Sequence, residues 1–398
     1  MITLAEIFEK PISGEWGEEP LNVEGARVIR TTNFTNIGQL DLKKEVVTRN
    51  IDKKVVEKKR LRTGDIIIEK SGGSANQHVG RVVYFDLETD EDYLCNNFTA
   101  ILRTKDIVDS KYVLYCMLNL YKKDVVSKFQ NKTTGIINLK LNDYLNQAKI
   151  PFPSIKTQKK IAEALDKAQE LIDKRKEQIE KLDEFLQSVF LDMFGDPVRN
   201  PKEWEVSNVN DLCVKIVGGG TPSKNIKEYY LGDIPWVSPK DVKSLSITDS
   251  MDHITEDAVK NSSTNLIPPN SLLMVVRSGI LKKQIPVAIN KRAVTINQDL
   301  KAFIVDNTKV SVEYILYYFL LAQKLLLAKV RGVTADNIEF RIIKELNIPV
   351  PLLHLQYKFA QIVQNTDEQR ALLKKSLAEM ENNFYSIMQK AFRGELFN

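Results

Sequence analysis

The 398-residue chain has three cysteines and three histidines. Cys95, Cys116 and Cys213 stand far apart with no Cys-x-x-Cys spacing. That argues against a zinc site or a disulfide framework and fits reduced thiols in a cytoplasmic protein. His78, His253 and His354 are scattered, with no cysteine or paired carboxylate at metal-ligand spacing. A run of about 18 apolar residues, the length a membrane span needs, does not occur. The richest window, Tyr314 to Val330, is broken by Gln323 and Lys324 and reads as a core helix. The opening "MITLAEIFEKPISGEW" carries acidic residues where a secretory signal needs a basic start and an apolar stretch. Neither sign of charge dominates: the net charge of +5 permits an acidic partner without demanding one.

Motifs for catalysis are also missing. "VGGGTP" (Val217 to Pro222) is rich in glycine, but no Gly-Lys-Ser/Thr follows, so it is not a phosphate-binding loop. It also lacks the strand-turn-helix spacing of a dinucleotide fingerprint. No Asn-Pro-Pro-aromatic segment of the kind used by amino-methyltransferases is present. "DIIIEK" (Asp65 to Lys70) faintly resembles a nuclease carboxylate cluster. The related segment later in the chain has Ser271 in place of Asp65 and a valine in place of Glu69. Chemistry that needs paired carboxylates is therefore not shared by both segments.

What the sequence does contain is an internal repeat. "IPFPSIKTQKKIAEAL" starts at Ile150, and "IPVPLLHLQYKFAQIV" starts 198 residues later at Ile348. Proline holds its predecessor extended, so each Ile-Pro-x-Pro reads as a strand end entering a helix. Heptad-like positions, apolar in the first copy but for Arg175, which fills its one gap, then step by 4 and 3. They are Ile161, Leu165, Ala168, Ile172, Arg175, Ile179, Leu182, Leu186, Val189 and Met193 in the first copy. The second copy has Phe359, Val363, Thr366, Arg370, Leu373, Leu377, Met380, Phe384, Ile387 and Ala391. A 3.5-residue period held this long predicts a coiled coil. Gly195 and Gly394 stand where C-caps belong, and Pro197 stops the first helix. Roughly 38 helical residues would span about 57 Å.

The segments before each helix are more faintly related. "GDIIIEKSGG" (Gly64 to Gly73) aligns with "NSLLMVVRSGI" (Asn270 to Ile280) after one insertion, which equates Lys70 with Arg277. "ARVIRTTNF" (Ala26 to Phe34) aligns with "IPWVSPKDV" (Ile234 to Val242). "YLCNNFTAILR" (Tyr93 to Arg103) aligns with "VTINQDLKAFIVD" (Val294 to Asp306). Each set then meets an apolar helix. Short strands with one or two helices predict mixed α/β domains of about 150 residues. The expected plan is a first domain over 1–153, a helix over 154–195, a second domain over 196–351 and a helix over 352–398. The two helices are expected to pack antiparallel, giving a pseudo-two-fold repeat with the domains at opposite ends. The alternative is that each helix docks only on its own domain.

Lys70 and Arg277 each follow a strand and precede a Ser-Gly turn. A cation there can reach a guanine edge or a phosphate, and it is equally an ordinary turn with a surface cation. "DKKVVEKKRLR" (Asp52 to Arg62) carries six basic residues and reads either as a solvated hairpin face or as a phosphate-contacting patch. Ser74, Asn76 and Gln77 offer amide and hydroxyl groups of the kind that match adenine, and such residues are also common in plain loops.

"GGGTPSKNIKEYYLGDIPWVSPKDVK" (Gly218 to Lys243), "VVRSGIL", "AVTINQDL", "LNIPVPLLHLQ" and the doubled architecture resemble the specificity subunit of type I restriction-modification systems. The resemblance covers nearly the whole chain and is weakest up to about residue 60. It implies a non-catalytic DNA reader of α+β class: two target recognition domains, one per half of a bipartite asymmetric site, with the two helices as an antiparallel spacer. It also implies docking of modification subunits that carry S-adenosylmethionine and methylate adenine. Restriction subunits using ATP and Mg2+ would join them, and this chain would hold no cofactor of its own. The first domain reads "EKPISGEWGEEP" where the second has Gly-Gly-x-Pro-Ser, so its leading loop departs from that pattern. The residues expected to face DNA are Thr31, Thr32, Asn33, Lys58, Lys59, Arg60, Lys70, Ser71, Ser74, Asn76, Gln77, Thr133 and Thr134 in the first domain. In the second they are Ser238, Lys240, Asp241, Arg277, Ser278, Lys282, Lys283 and Thr334. A cryptic methyltransferase or nuclease, or a coiled-coil scaffold with protein-binding domains, are the competing expectations.

Overall fold

The computed structural model describes residues 1–20, 25–73, 77–133, 136–328, 330–331 and 337–396. Two long helices, Ile155–Phe194 and Leu353–Phe392, have 40 residues each. At about 1.5 Å per residue each is about 60 Å long. Every one of the twenty heptad positions is buried or half-buried, so the 3.5-residue period does mark the packed seam. Gly195 and Gly394 terminate the helices in the left-handed region, at φ 82° and 76°, where glycine carries no Cβ penalty.

The chain forms two compact units. The first comprises Met1–Lys176 and Ser376–Asn398, the second Glu177–Lys375. Each unit therefore holds a globular part, the start of the helix that leaves it and the end of the other helix. Within the first unit the helices run antiparallel. Ile161, Leu165 and Ile172 share a core with Phe384, Met388 and Ala391, and Lys176 pairs with Glu381 at 3.0 Å. Within the second, Leu186, Phe190 and Phe194 share a core with Phe359 and Val363, and Arg370 pairs with Asp183 at 2.6 Å. The helices thus pair with each other in both units, as the sustained heptad demands, and do not dock singly.

In the first unit a four-stranded antiparallel sheet runs in the order Ile12–Ser13, Thr99–Leu102, Ile66–Glu69, Val82–Tyr84. The unbroken apolar run of Ile66–Ile68 suits a strand covered on both faces, and all three residues are buried. A second sheet joins Val47–Arg49, Ala26–Ile29 and Tyr93–Cys95, the last two in parallel. In the second unit the sheet order is Cys213–Gly218, Leu300–Val305, Leu272–Val275, Val287–Asn290, Ser246–Ile247. Its companion joins His253–Ile254, Ile234–Val237 and Thr295–Ile296, the last two again in parallel. The same frame is therefore built twice from different residues.

The basic segment after Asp52 is not a hairpin. Lys53–Lys59 is a helix whose N-cap Asp52 accepts from the Lys54 amide, and Val56 is its buried anchor. An acidic cap followed by apolar Val55 and Val56 is a helix start, and that signal outweighs the β-branched pair.

Candidate nucleic-acid interface

The register of each central strand determines which loop residues correspond. Ile66 to Glu69 pair with Leu102 to Thr99, and Leu272 to Val275 pair with Phe303 to Leu300. Beyond the strand, the amides of Lys70 and Ser71 both donate to the Phe98 carbonyl, while those of Val276 and Arg277 both donate to Asp299. Ser71 bridges Asn138, and Arg277 bridges Asn337. Lys70 thus corresponds to Val276, and Ser71 to Arg277. The expected equivalence of Lys70 with Arg277 is off by one residue, because hydrogen bonding to the neighbouring strand sets the register, not local identity.

In the first unit the loops around this point are tied by charge. Glu69 is buried and receives Arg81 through Nε at 2.9 Å and an Nη at 3.0 Å. The same guanidinium donates to the Thr31 carbonyl at 3.2 Å and lies 5.7 Å from the Phe34 ring centre. With its amide turned so that oxygen faces Arg81, Gln77 accepts from Arg81 at 3.0 and 3.1 Å. Arg81 therefore gathers the Thr31, Glu69 and Gln77 loops, a role that sequence reasoning missed. The signal available was a lone arginine after a Gly in a segment otherwise apolar.

The leading loop adds a second tie. Lys70 Nζ donates to Ser13 Oγ at 3.1 Å, and Lys59 pairs with Glu15 at 2.9 Å. Partial burial holds the Lys70 ammonium below its ordinary pKa. Between Ser13 and Glu15, Gly14 lies against the Cys95 and Asn96 carbonyls so closely that a methyl would overlap them. Gly219 meets the Ile296 and Asn297 carbonyls in the same way. The leading loop of the first domain thus seats as the second one does, despite lacking its sequence.

Other expected residues fall elsewhere. Asn33 is buried, not presented. Its side chain accepts from the Arg30 amide at 3.0 Å and donates towards the carbonyls of Asp41, Lys44 and Glu45, so it shapes its own loop. Thr32 is exposed, and its carbonyl accepts from Lys44. Lys58 is exposed, while Arg60 turns to Asp92 at 3.3 Å and to the Asp90 carbonyl at 2.9 Å. Ser71 Oγ donates to Asn138 Oδ1 at 2.6 Å. Ser74, Asn76, Thr134 and Thr334 lie outside the described residues, as does the side chain of Thr133.

In the second unit Arg277 is half exposed, with its side chain 50% accessible, and both Nε and an Nη lie 2.7 Å from Asp299 Oδ1. Asn297 donates to Asp299 Oδ2 at 3.0 Å and accepts the Asp299 amide at 3.0 Å. The Asn297 amide in turn donates to the Val237 carbonyl at 2.9 Å, which links this clamp to the Ser238 turn. There Asp241 accepts from the Ser238 amide and hydroxyl at 2.8 Å and from Met251 at 2.9 Å, so it is the turn's internal brace. Lys240 stays exposed. Ser278 caps a short 3-10 turn over Gly279–Lys282, and Lys282 and Lys283 are exposed at its end. The carboxylates of "DIIIEK" are both engaged by arginine: Asp65 by Arg103 at 2.7 Å and Glu69 by Arg81. Among the described residues no group of His, Cys, Asp and Glu could hold a metal ion. No described helix is long and apolar enough to cross a membrane.

Comparison with known proteins bears on this arrangement. The family described as "Type I restriction modification DNA specificity domain" matches residues 1–182 and again residues 201–382. The EcoR124I/EcoR124II specificity subunit of Escherichia coli is 35% identical over 236 residues, covering 56% of this chain and 56% of that protein. The MjaIX specificity subunit of Methanocaldococcus jannaschii is 33% identical over 211 residues, covering 50% of this chain and 47% of that one. The matched part of the chain thus spans about half the length of these curated relatives. The crystal structure of a type I restriction-modification S subunit from M. genitalium has a TM-score of 0.55 at 16% identity, covering 98% of this chain and 95% of that one, so the two share a fold.

Proposed function

The chain belongs to the family of type I restriction-modification DNA specificity domains, and on that premise we propose that it is the sequence-reading subunit of such a complex. One domain reads each half of a bipartite asymmetric site. The observation that carries this is the loop frame built twice with different side chains on it. Ser71 and Phe98 stand in the first copy where Arg277 and Asp299 stand in the second, and an asparagine, Asn138 or Asn337, closes each frame. A shared frame fixes where the loops meet a duplex, and differing side chains give each domain its own base preference.

In this reading the chain performs no chemistry. Its long helices fix the gap between half-sites and, with adjoining surfaces, dock methyltransferase subunits in the cytoplasm. Those subunits bring S-adenosylmethionine, and restriction subunits bring ATP and Mg2+. Exposed Lys58, Lys240, Lys282 and Lys283 supply salt-dependent phosphate contacts. Mapping methylated adenines in cells carrying the system, with and without this chain, tests the proposal. A bipartite motif that appears only with the chain supports it. Methylation that is absent in both, or indifferent to the chain, refutes it.

A further inference from the structure

Resting on that reading, we infer that Arg277 reads a guanine in the half-site of the second domain, held in reading geometry by Asp299 and Asn297. A guanidinium has five N–H donors in a fixed plane. In Arg277 the Nε hydrogen is donated to Asp299 Oδ1 at 2.7 Å, and the Nη on the same side of the guanidinium lies 2.7 Å from that oxygen as an ion pair. That leaves the end edge of the fork, one hydrogen from each Nη, as a parallel pair. This pair matches the O6 and N7 acceptors that guanine alone presents together in the major groove.

The carboxylate is itself fixed. Asn297 holds Asp299 from both sides, through its side-chain nitrogen and through its oxygen on the Asp299 amide. Asn297 is buried, and its own amide is tied to Val237. The guanidinium therefore sits at the end of a rigid relay, and less rotamer freedom is lost on binding than for an untethered arginine. A phosphate contact needs no fixed fork, and exposed Lys283, just after the adjacent turn, already offers a cation for one. Asp299 and Asn297 are positioning residues in this scheme.

The first domain has no such fork at the matched place. Ser71 replaces Arg277, and its hydroxyl is engaged by Asn138. Phe98 replaces Asp299 and is 45% exposed. The arginine-guanine contact at this position belongs to one half-site only.

The test is to map methylated adenines made by the assembled complex carrying the wild-type chain, Arg277→Ala, Arg277→Lys or Asp299→Asn, with co-purification of the partner subunits as the control for folding. In the wild type, one half of the motif contains a required G·C pair. Arg277→Ala relaxes that single position and lowers methylation at wild-type sites about tenfold or more, with the other half unchanged. Arg277→Lys and Asp299→Asn relax the same position partially, which a merely structural ion pair would not do. The inference is overturned if Arg277→Ala leaves every position fixed, or if relaxation falls in the other half. An assembled Arg277→Lys complex with an unrelaxed motif, or with no methylation at all, overturns it too. If the wild-type chain yields no bipartite motif, it is the broader reading that fails, and the variants are not needed to see it.

Discussion

Gln158, in the first turn of one long helix, accepts the Asp109 amide at 2.9 Å while donating to the Pro153 carbonyl at 2.9 Å. Asp109 is the N-cap of the helix Ser110–Lys122. One buried side chain therefore ties a domain helix to the long helix that leaves the domain. The second unit repeats the device: Gln356 accepts the Ser311 amide at 2.9 Å and donates to the Pro351 carbonyl at 2.7 Å. Tyr112 and Tyr314 complete it by donating to the carbonyls of Pro151 and Pro349 at 3.1 and 2.7 Å. The doubled Ile-Pro-x-Pro marks this junction.

Replacing Gln158 or Gln356 with alanine strands a buried amide and a buried carbonyl. Each variant should lose about 1–3 kcal/mol of stability. Denaturant midpoints at fixed slope measure the loss. An unshifted midpoint for either variant contradicts the junction's role.

Phe190 packs against Tyr314 and Phe359, with ring centres 5.3 and 5.5 Å apart, in the core of the second unit. Phe190→Ala should cost about 3–5 kcal/mol through lost burial and a residual cavity. An exposed hydrophobic such as Leu372 makes the control, and its alanine variant should stay within about 0.5 kcal/mol.

The buried Glu69–Arg81 pair gathers three loops of the first unit. Glu69→Gln leaves the guanidinium without its counter-charge, at a cost of about 3–5 kcal/mol. Thermal unfolding reads the cost. In the assembled complex this variant should disturb methylation through one half-site only, the half assigned to the first domain.

Burial pushes the Cys95 thiol up to about 11 and the Cys116 thiol higher still. Thiolate, the reactive form, is then scarce at pH 8 in the folded chain. Titration with a thiol reagent at pH 8 should show both unreactive until denaturant is added. Prompt native-state reaction at Cys95 contradicts the buried strand placement.

The parts legible in the sequence are those governed by period and by local chemistry. The heptads could be read because every seam position needs a shielded side chain, and even Arg370 qualifies by pairing with Asp183 and Asp367. Gly195 and Gly394 could be read because a left-handed terminus favours glycine. The loop residues were less legible. Lys70 and Arg277 align by eye, yet the partner strands place Ser71 opposite Arg277, and no local feature announces that shift. Asn33 looks like a surface turn residue, but its burial depends on carbonyls up to twelve positions away. Arg81 and Asp299 are ordinary charges in one dimension. Their meaning comes from Glu69 and Arg277, which only the folded sheets bring near.

The most direct test of the central claim, one reading domain per half-site, is a domain exchange followed by methylation mapping. The chain's 201–347 segment is replaced by the matching segment of a relative with a different motif, leaving both long helices and their Ile-Pro-x-Pro junctions intact. One half of the methylated motif should change, with the other half and the gap between them retained. A motif that changes in both halves, or in neither, would contradict the account.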